Sequence, residues 1–596
     1  MSDRDTARTF EEAVSRRKLL TVAGASGAAA LAGCADNEGE TGGEQGAANT
    51  PDSEGGSEVY DATFTGSLIN VNPENAHFNS AANQNYSEPA GRTVFAPLLK
   101  YSFTSGEFIL AALEDLTFGD QEFTMTFRED LTWENGDAWT TADFDVQLQL
   151  GQKTESSLFG YVDDWEIVDD YTVTLQLSGP TNPKIIRFEL SNFFVTAKQE
   201  THEEFLDKDV TEYLQWAYDD PVASGPFALE NKDRQAFEFT RNEEFYDADN
   251  INFENYVLES YGGNTAAQQA LISGSETDSA WSLFTPPEIA EQYPDHVVEV
   301  NVPAKWGYGI VFNHDDDHFG KRAVRQAVAH VINREQIVEN AGPRSKFATG
   351  VPCGIAPRDQ EYWLGDRMSD FETYGAGETQ AEAAAGLLEA EGYTKVDGTW
   401  QAEDGTTLGG DYYSPAGWTD WTTATQTVVD QLNSFGFDFS ISTIPVGDFF
   451  GRYAESDFGM GAFYWLPGGS RSAFPYFPQY YQLLGTDIGG GHNYEQFAKQ
   501  EQTIPGMDGG EMTLTPLDTV EKIAEQPSDD DARPYVQEAA WHNHIELPFL
   551  GLVSKFEQSW VTNDEWTEAP MDSPNRRVKW APFWWPQSGE LQYDGE

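Results

Sequence analysis

Cysteine is almost missing: Cys34 and Cys353 are the only two in 596 residues. One disulfide is the most such a chain can form, so its core must stand on packing rather than on cross-links. Basic residues are scarce as well, with 35 Lys and Arg against 100 Asp and Glu and a formal net charge of −65. Without a basic stripe to neutralise phosphates, a nucleic-acid partner is excluded. No stretch approaches the ~20 apolar residues that ~30 Å of hydrocarbon demands, so no spanning helix is expected. Phosphate-cradling machinery is lacking too. Gly320-Lys321-Arg322 has neither the upstream glycine nor the Ser/Thr of a P-loop, and no Gly-x-Ser-x-Gly nucleophile elbow occurs.

Aromatic residues, in contrast, are plentiful: 17 Trp, 25 Tyr and 38 Phe, within a chain that is 39% hydrophobic. That composition supports a large core, and the length allows two to four domains. The carboxylates run along the whole chain instead of gathering in one tail. Self-repulsion of that size opposes a compact state at low ionic strength. At molar salt the Debye length falls to ~3 Å and the repulsion is screened. The acidity therefore reads as adaptation to high salt rather than as a binding signal.

The amino terminus carries its own signature. Arg16 and Arg17 precede a weakly apolar stretch, Leu19 to Ala32, that is too short to span a bilayer. A basic flank before a short apolar segment marks an export signal, and the arginine pair points to the folded-protein export route. Leu31-Ala32-Gly33-Cys34 resembles a lipobox, in which cleavage before Cys34 frees its thiol for lipid attachment. Residues 1–33 are then the signal. Residues 34–58, rich in Gly, Glu, Asp, Asn and Ser with almost nothing apolar, form an acidic disordered tether.

Beyond the tether, short alternating runs and helical patterns interleave, which favours α/β layers. Phe123 to Phe127 and Tyr171 to Leu177 alternate as half-buried strands. Gln380 to Ala390 reads as a helix closed by Gly392, and Thr423 to Ser434 as one closed by Gly436. Trp133 ends a strand, Asn135-Gly136 turns, and Thr140 or Thr141 caps a helix.

Six ordered motifs carry a family resemblance. The first runs from Ala96-Pro97-Leu98-Leu99 through Ala111-Ala112-Leu113-Glu114-Asp115 and Phe127 to Asp137, and ends in Thr141-Ala142-Asp143-Phe144. Val168-Asp169-Asp170-Tyr171-Thr172-Val173 and Ala223-Ser224-Gly225-Pro226-Phe227 with Arg241-Asn242 follow. Then come Ile310-Val311-Phe312-Asn313, Val324 to His330 with Ile332-Asn333-Arg334, and Leu387 to Tyr393. In this order they resemble the large peptide-binding class of extracytoplasmic solute-binding proteins, family 5. The resemblance implies a periplasmic-binding-protein-like α/β fold (type II) with three lobes and a hinged cleft. Lobe I would comprise residues 59–87, 199–302 and 558–596, lobe II 88–198, and lobe III 303–557.

The same resemblance implies a monomer that is not an enzyme, has no cofactor or metal, and touches the membrane only through its lipid. It would hand a di- or oligopeptide to the permease of an ABC importer whose ATPase is a separate subunit. Candidate ligand residues are Trp281, Tyr308, Trp418, Asp420, Trp421, Tyr464, Trp465 and Gly468. Gly417 to Trp421 reads as a turn before a helix, and Phe463-Tyr464-Trp465 as following a strand; aromatic walls with a few polar groups suit a ligand pocket. Peptide binders of the family carry an Asp, which pairs with the peptide ammonium, where this chain has Gly468. Asp420 is the nearby acid that stands in for it, or else the ligand is an oligosaccharide stacked on tryptophan. A secreted metallohydrolase built on His314 and His318 is the remote alternative. The bland readings are a solvated acidic loop for His314 to His318, a helix-to-strand connection for His542-Asn543-His544, and a buried, inert thiol for Cys353.

Overall fold

Alternation of apolar and polar side chains commits the first strand, Tyr60–Ile69, to a sheet with one buried face. The computed structural model describes residues 58–595 apart from 70, 83, 275–276, 304–306, 417 and 466–493. In it this strand runs parallel to Phe253–Tyr261, the centre of an eight-stranded mixed sheet. The order is Val297–Pro303, Val553–Thr562, Ser279–Ala280, Tyr60–Ile69, Phe253–Tyr261, Ala236–Arg241 and Phe227–Lys232, with Lys346–Ala348 paired to Val553, Ser554 and Lys555. Segments nearly 500 residues apart in sequence therefore share one sheet.

A four-stranded antiparallel sheet follows in the chain, ordered Leu113–Phe118, Glu122–Phe127, Thr172–Leu177 and Val162–Asp169. Glu122–Phe127 and Thr172–Leu177 match the alternating runs read from sequence within one residue. Trp133 lies past the strand end, in a turn where Gly136 takes φ of 81°. Thr140 is the residue that caps helix Thr141–Lys153: its hydroxyl accepts from the Ala142 amide, and the Asp143 carboxylate accepts from the Thr140 amide.

The remaining body is built differently. Gly307–Phe312 lies between Met460–Trp465 and Phe549–Gly551 in an antiparallel sheet. Gly409–Pro415 and Asp438–Ile444 pair in parallel, which requires a crossover, and helix Thr419–Phe435 supplies it. Gly436 ends that helix at φ of 115°, and helix Ala381–Ala390 ends just before Gly392. Helix Asp529–Glu546 contains His542, Asn543 and His544, so the expected helix-to-strand connection begins later, at Leu547. Ser528 caps it, and three aspartates fill its first turn where the helix dipole favours them.

Two large hydrophobic cores result. One draws on residues 308–553 together with Ile185; the other on residues 64–302 and 561–591. The chain passes between them twice, after Val302 and before Tyr308, and again along the strand between Val553 and Val561. The crossings touch. A Cβ on Gly307 would stand 1.8 Å from the Val553 carbonyl oxygen, so only glycine lets the two strands approach this closely.

Candidate functional site

Around these crossings lie several of the candidate aromatics and two buried lysines, Lys346 and Lys555. Tyr308 follows the first crossing directly. Its hydroxyl lies 3.1 Å from that of Tyr412 and 3.0 Å from that of Thr425, and burial pushes its pKa up. Trp421 meets the Tyr308 ring edge-on at 5.2 Å, and Trp418 meets Trp421 edge-on at 4.9 Å. Tyr308 and Trp421 are both 1% exposed, whereas Trp418 is half-buried. The three meet edge to face, and Trp418 is the ring that solvent reaches.

The helix starts earlier than its sequence suggested. Trp418 is the N-cap, and Asp420 and Trp421 occupy the first turn rather than a preceding loop. From there Asp420 is held by Lys555 at 2.8 Å and Lys346 at 3.5 Å, all three buried. Burial alone would raise the carboxyl pKa, but the two ammonium groups hold it well below the usual range. Lys346 is pushed down to about 7, chiefly by burial, with its ammonium 3.8 Å from the Phe284 ring. Asp420 is thus already committed to two cations.

Trp281 lies elsewhere. It follows strand Ser279–Ala280 and packs tilted against Trp580 with ring centroids 3.7 Å apart, and Phe583 stands 6.1 Å away. Asp278 beside it accepts from the Thr65 amide, and burial raises its pKa to about 6. Tyr464 and Trp465 are in strand Met460–Trp465 rather than after it; their side chains, and all of Gly468, lie outside the described residues. The structure brings Tyr308, Trp418, Asp420 and Trp421 together and sets Trp281 in a separate aromatic group.

The remaining candidates are taken up by local bonds. His314 Nε2 lies 3.0 Å from the Pro548 carbonyl and His318 Nδ1 2.9 Å from the Tyr393 hydroxyl. The tip of that loop is partly solvated as expected, with Asp315 and Asp317 exposed, but His314 is buried. His542 and His544 are buried, and burial lowers them to about 3 and about 4. Cys353 is fully buried, its pKa pushed up to about 12. Among the described residues no group of His, Cys, Asp or Glu has a metal-holding arrangement. A groove of about 840 Å³ runs between helices Arg334–Ala341, Ala381–Ala390 and Thr419–Phe435, and none of the candidate ligand residues lines it.

Sequence reasoning missed Lys346, Lys555, Arg92, Lys100 and Glu557. A signal was present. In a chain this poor in cations, Leu98-Leu99-Lys100-Tyr101 and Val553-Ser554-Lys555-Phe556 set a lysine inside an apolar strand pattern. Strand burial then forces the ammonium to find a partner or shed its proton.

Comparison with known proteins now decides the family. The family model of bacterial extracellular solute-binding proteins, family 5, matches residues 110–485. The chain belongs to that family. No curated protein sequence gives a match. Among solved structures, the periplasmic oligopeptide-binding protein of an oligopeptide ABC transporter from Thermotoga maritima superposes with a TM-score of 0.72 at 20% identity, covering 86% of this chain and 94% of that one. The mannohexaose-bound form gives 0.70 at 18% identity, covering 90% and 99%. The oligopeptide-binding protein AppA from Bacillus subtilis, in complex with a nonapeptide, gives 0.65 at 14% identity, covering 89% and 99%. At such identities the likeness establishes the fold: this family 5 member has the lobed α/β architecture of those binding proteins. No helix among its described residues is long and apolar enough to cross a membrane.

Proposed function

We propose that this family 5 protein is the exported, lipid-anchored capture subunit of an ABC importer, binding di- or oligopeptides outside the cell and passing them to a permease. The observation that carries the reading is the pair of separate cores joined by two touching strand crossings. Two rigid bodies on such a joint can close around a solute, and the ligand biases that equilibrium. In the proposed division, residues 59–87, 199–302 and 558–596 form one lobe, 88–198 a second and 303–557 a third, acting as a monomer. Peptide is the first ligand class because similarly folded proteins are named for oligopeptide binding.

Oligosaccharide is the second reading, and one observation favours it. Asp420, the acid that would replace the absent ammonium anchor at Gly468, is engaged by Lys346 and Lys555. A similar fold holds mannohexaose. Mass spectrometry of ligand that co-purifies at high salt, then titration with peptide and sugar panels, separates the two. Peptides alone should bind and be recovered intact; binding of sugars alone would sink the peptide reading. Anchoring depends on Arg16, Arg17 and Cys34, which lie outside the described residues. Cys34→Ser should release the protein or leave its signal uncleaved, and unchanged anchoring would refute the lipid.

A further inference from the structure

Strand Val553–Thr562 presents Lys555 and, two residues on, Glu557 on the same face. Glu557 is buried and faces a second charge cluster made by Arg92, Lys100, Lys579 and Glu88. Arg92 pairs with Glu88 one turn earlier in helix Glu88–Val94, yet its Nε has no hydrogen-bond partner although the residue is 4% exposed. Lys100 is 6% exposed, and no hydrogen bond or ion pair within reach satisfies its ammonium among the described residues.

Aromatic rings wall the cluster. The Arg92 guanidinium lies 4.3 Å from the Trp580 ring and 5.0 Å from Phe194. Lys100 Nζ lies 5.3 Å from the same Phe194 ring and 6.0 Å from Trp584, and Lys579 Nζ 5.6 Å from Trp580. Trp281 packs tilted against the same Trp580. Three cations thus face two carboxylates, and burial raises one of those, Glu557, to about 7. Lys100 is driven well below its ordinary pKa by burial and then by Arg92 and Lys579. Glu88 and Lys579 are only partly covered, so solvent enters beside them. The group lies beside the strand Val553–Thr562 that runs on from the second crossing and carries Glu557.

We infer that Arg92, Lys100 and Lys579, boxed by Phe194, Trp580 and Trp584, form a subsite for a carboxylate of the transported solute. A carboxylate supplies what the cluster lacks, namely one negative charge and acceptors for the unpartnered Lys100 ammonium and Arg92 Nε. The aromatic faces, already polarised by the cations, provide the apolar walls. In a chain of net charge −65 this is a local excess of positive charge, drawing an anion into an otherwise repelling protein. The inference rests on the solute-binding reading and narrows its ligand to acids, whether peptides with a free carboxyl or acidic sugars.

The test uses the whole exported chain, with glutarate and its neutral diamide as probes at constant ionic strength. Glutarate should raise the melting temperature and bind by calorimetry while glutaramide does neither. Lys100→Met should weaken glutarate by about tenfold or more while melting cooperatively. Lys579→Gln, at a partly solvated position, should weaken it to a lesser degree and keeps the test open should Lys100→Met not fold. Equal behaviour of acid and diamide, or glutarate binding untouched by both variants, overturns the subsite. Exchanging acetate for chloride distinguishes the sources of negative charge: chloride that stabilises equally and displaces glutarate makes this an inorganic-anion site and overturns the assignment to a solute. Peptides that bind equally with free and amidated carboxyl groups, in wild type and both variants, refute the subsite and leave solute binding intact. Glutarate binding with no peptide or sugar bound leaves the subsite standing and breaks the peptide reading.

Discussion

One strand serves two buried charge clusters, and they differ in completeness. On the Lys555 side, Asp420 gathers two lysines within 3.5 Å and sits in the first turn of a helix whose dipole also favours a negative charge. On the Glu557 side, Lys100 makes no ion pair among the described residues, and burial raises the Glu557 pKa to about 7. The first cluster is saturated by the chain itself and fastens helix Thr419–Phe435 to the crossing. The second is left wanting an anion. A buried charge with its partner present describes architecture; one without a partner describes a ligand.

Substitutions separate the two clusters, and the largest effect belongs to the Gly307–Val553 crossing, which precedes both on the strand. Gly307→Ala puts a methyl group into the Val553 carbonyl, so loss of cooperative folding, or destabilisation by about 4–5 kcal/mol, should appear in thermal melts. Asp420→Ala strands two buried ammonium groups and should cost about 3–5 kcal/mol in denaturant unfolding. A negligible loss there would mean that the lysines are paired another way.

Glu557 adds a pH signature of about 3 kcal/mol. Its folded pKa of about 7 lies above the ordinary 4.5, so the unfolded chain gives up this proton first as pH rises. Stability should therefore fall as pH climbs from 4.5 towards 7 and level off above. Its surroundings are Lys579, Arg92 and Glu88. Glu557→Gln should flatten that part of the profile measured by melting temperature, and an unchanged slope would assign it to other groups. Lys100→Met, by removing an amine desolvated without a partner, should leave stability unchanged or raise it by ~1 kcal/mol. That sign is opposite to Asp420→Ala, so one pair of melts puts the comparison at risk. Smallest is Lys184→Ala, which removes a half-exposed ion pair with Asp529 between the two bodies, near the Asn182 amide bond to the Ala524 carbonyl. It should cost less than ~1 kcal/mol in melting.

Local signals were legible wherever a short stretch sets its own conformation. The alternation of Phe123 to Phe127, the capping threonine, and the glycine stops at Gly392 and Gly436 all needed only neighbours in sequence. Long-range partners were not legible. Asp420 and Lys555 are separated by 135 residues, and nothing in either neighbourhood names the other. Gly417 suggested a loop, yet Trp421 is buried because packing against Tyr308 rewards starting the helix at Thr419. The family resemblance implied a helix-to-strand connection at His542 and His544, whereas a serine cap and tertiary burial sustain the helix through Glu546. Trp281 was noticed as a candidate, but its partner Trp580 lies 299 residues away.

The central claim is capture of a solute without turnover. Isothermal titration of the exported chain with a panel of short peptides, followed by mass spectrometry of the recovered ligand, tests it most directly. The account predicts saturable binding of one peptide per chain, tighter for free than for amidated carboxyl groups, with the peptide returned unaltered. A cleaved peptide, or no peptide binding at all, would contradict it.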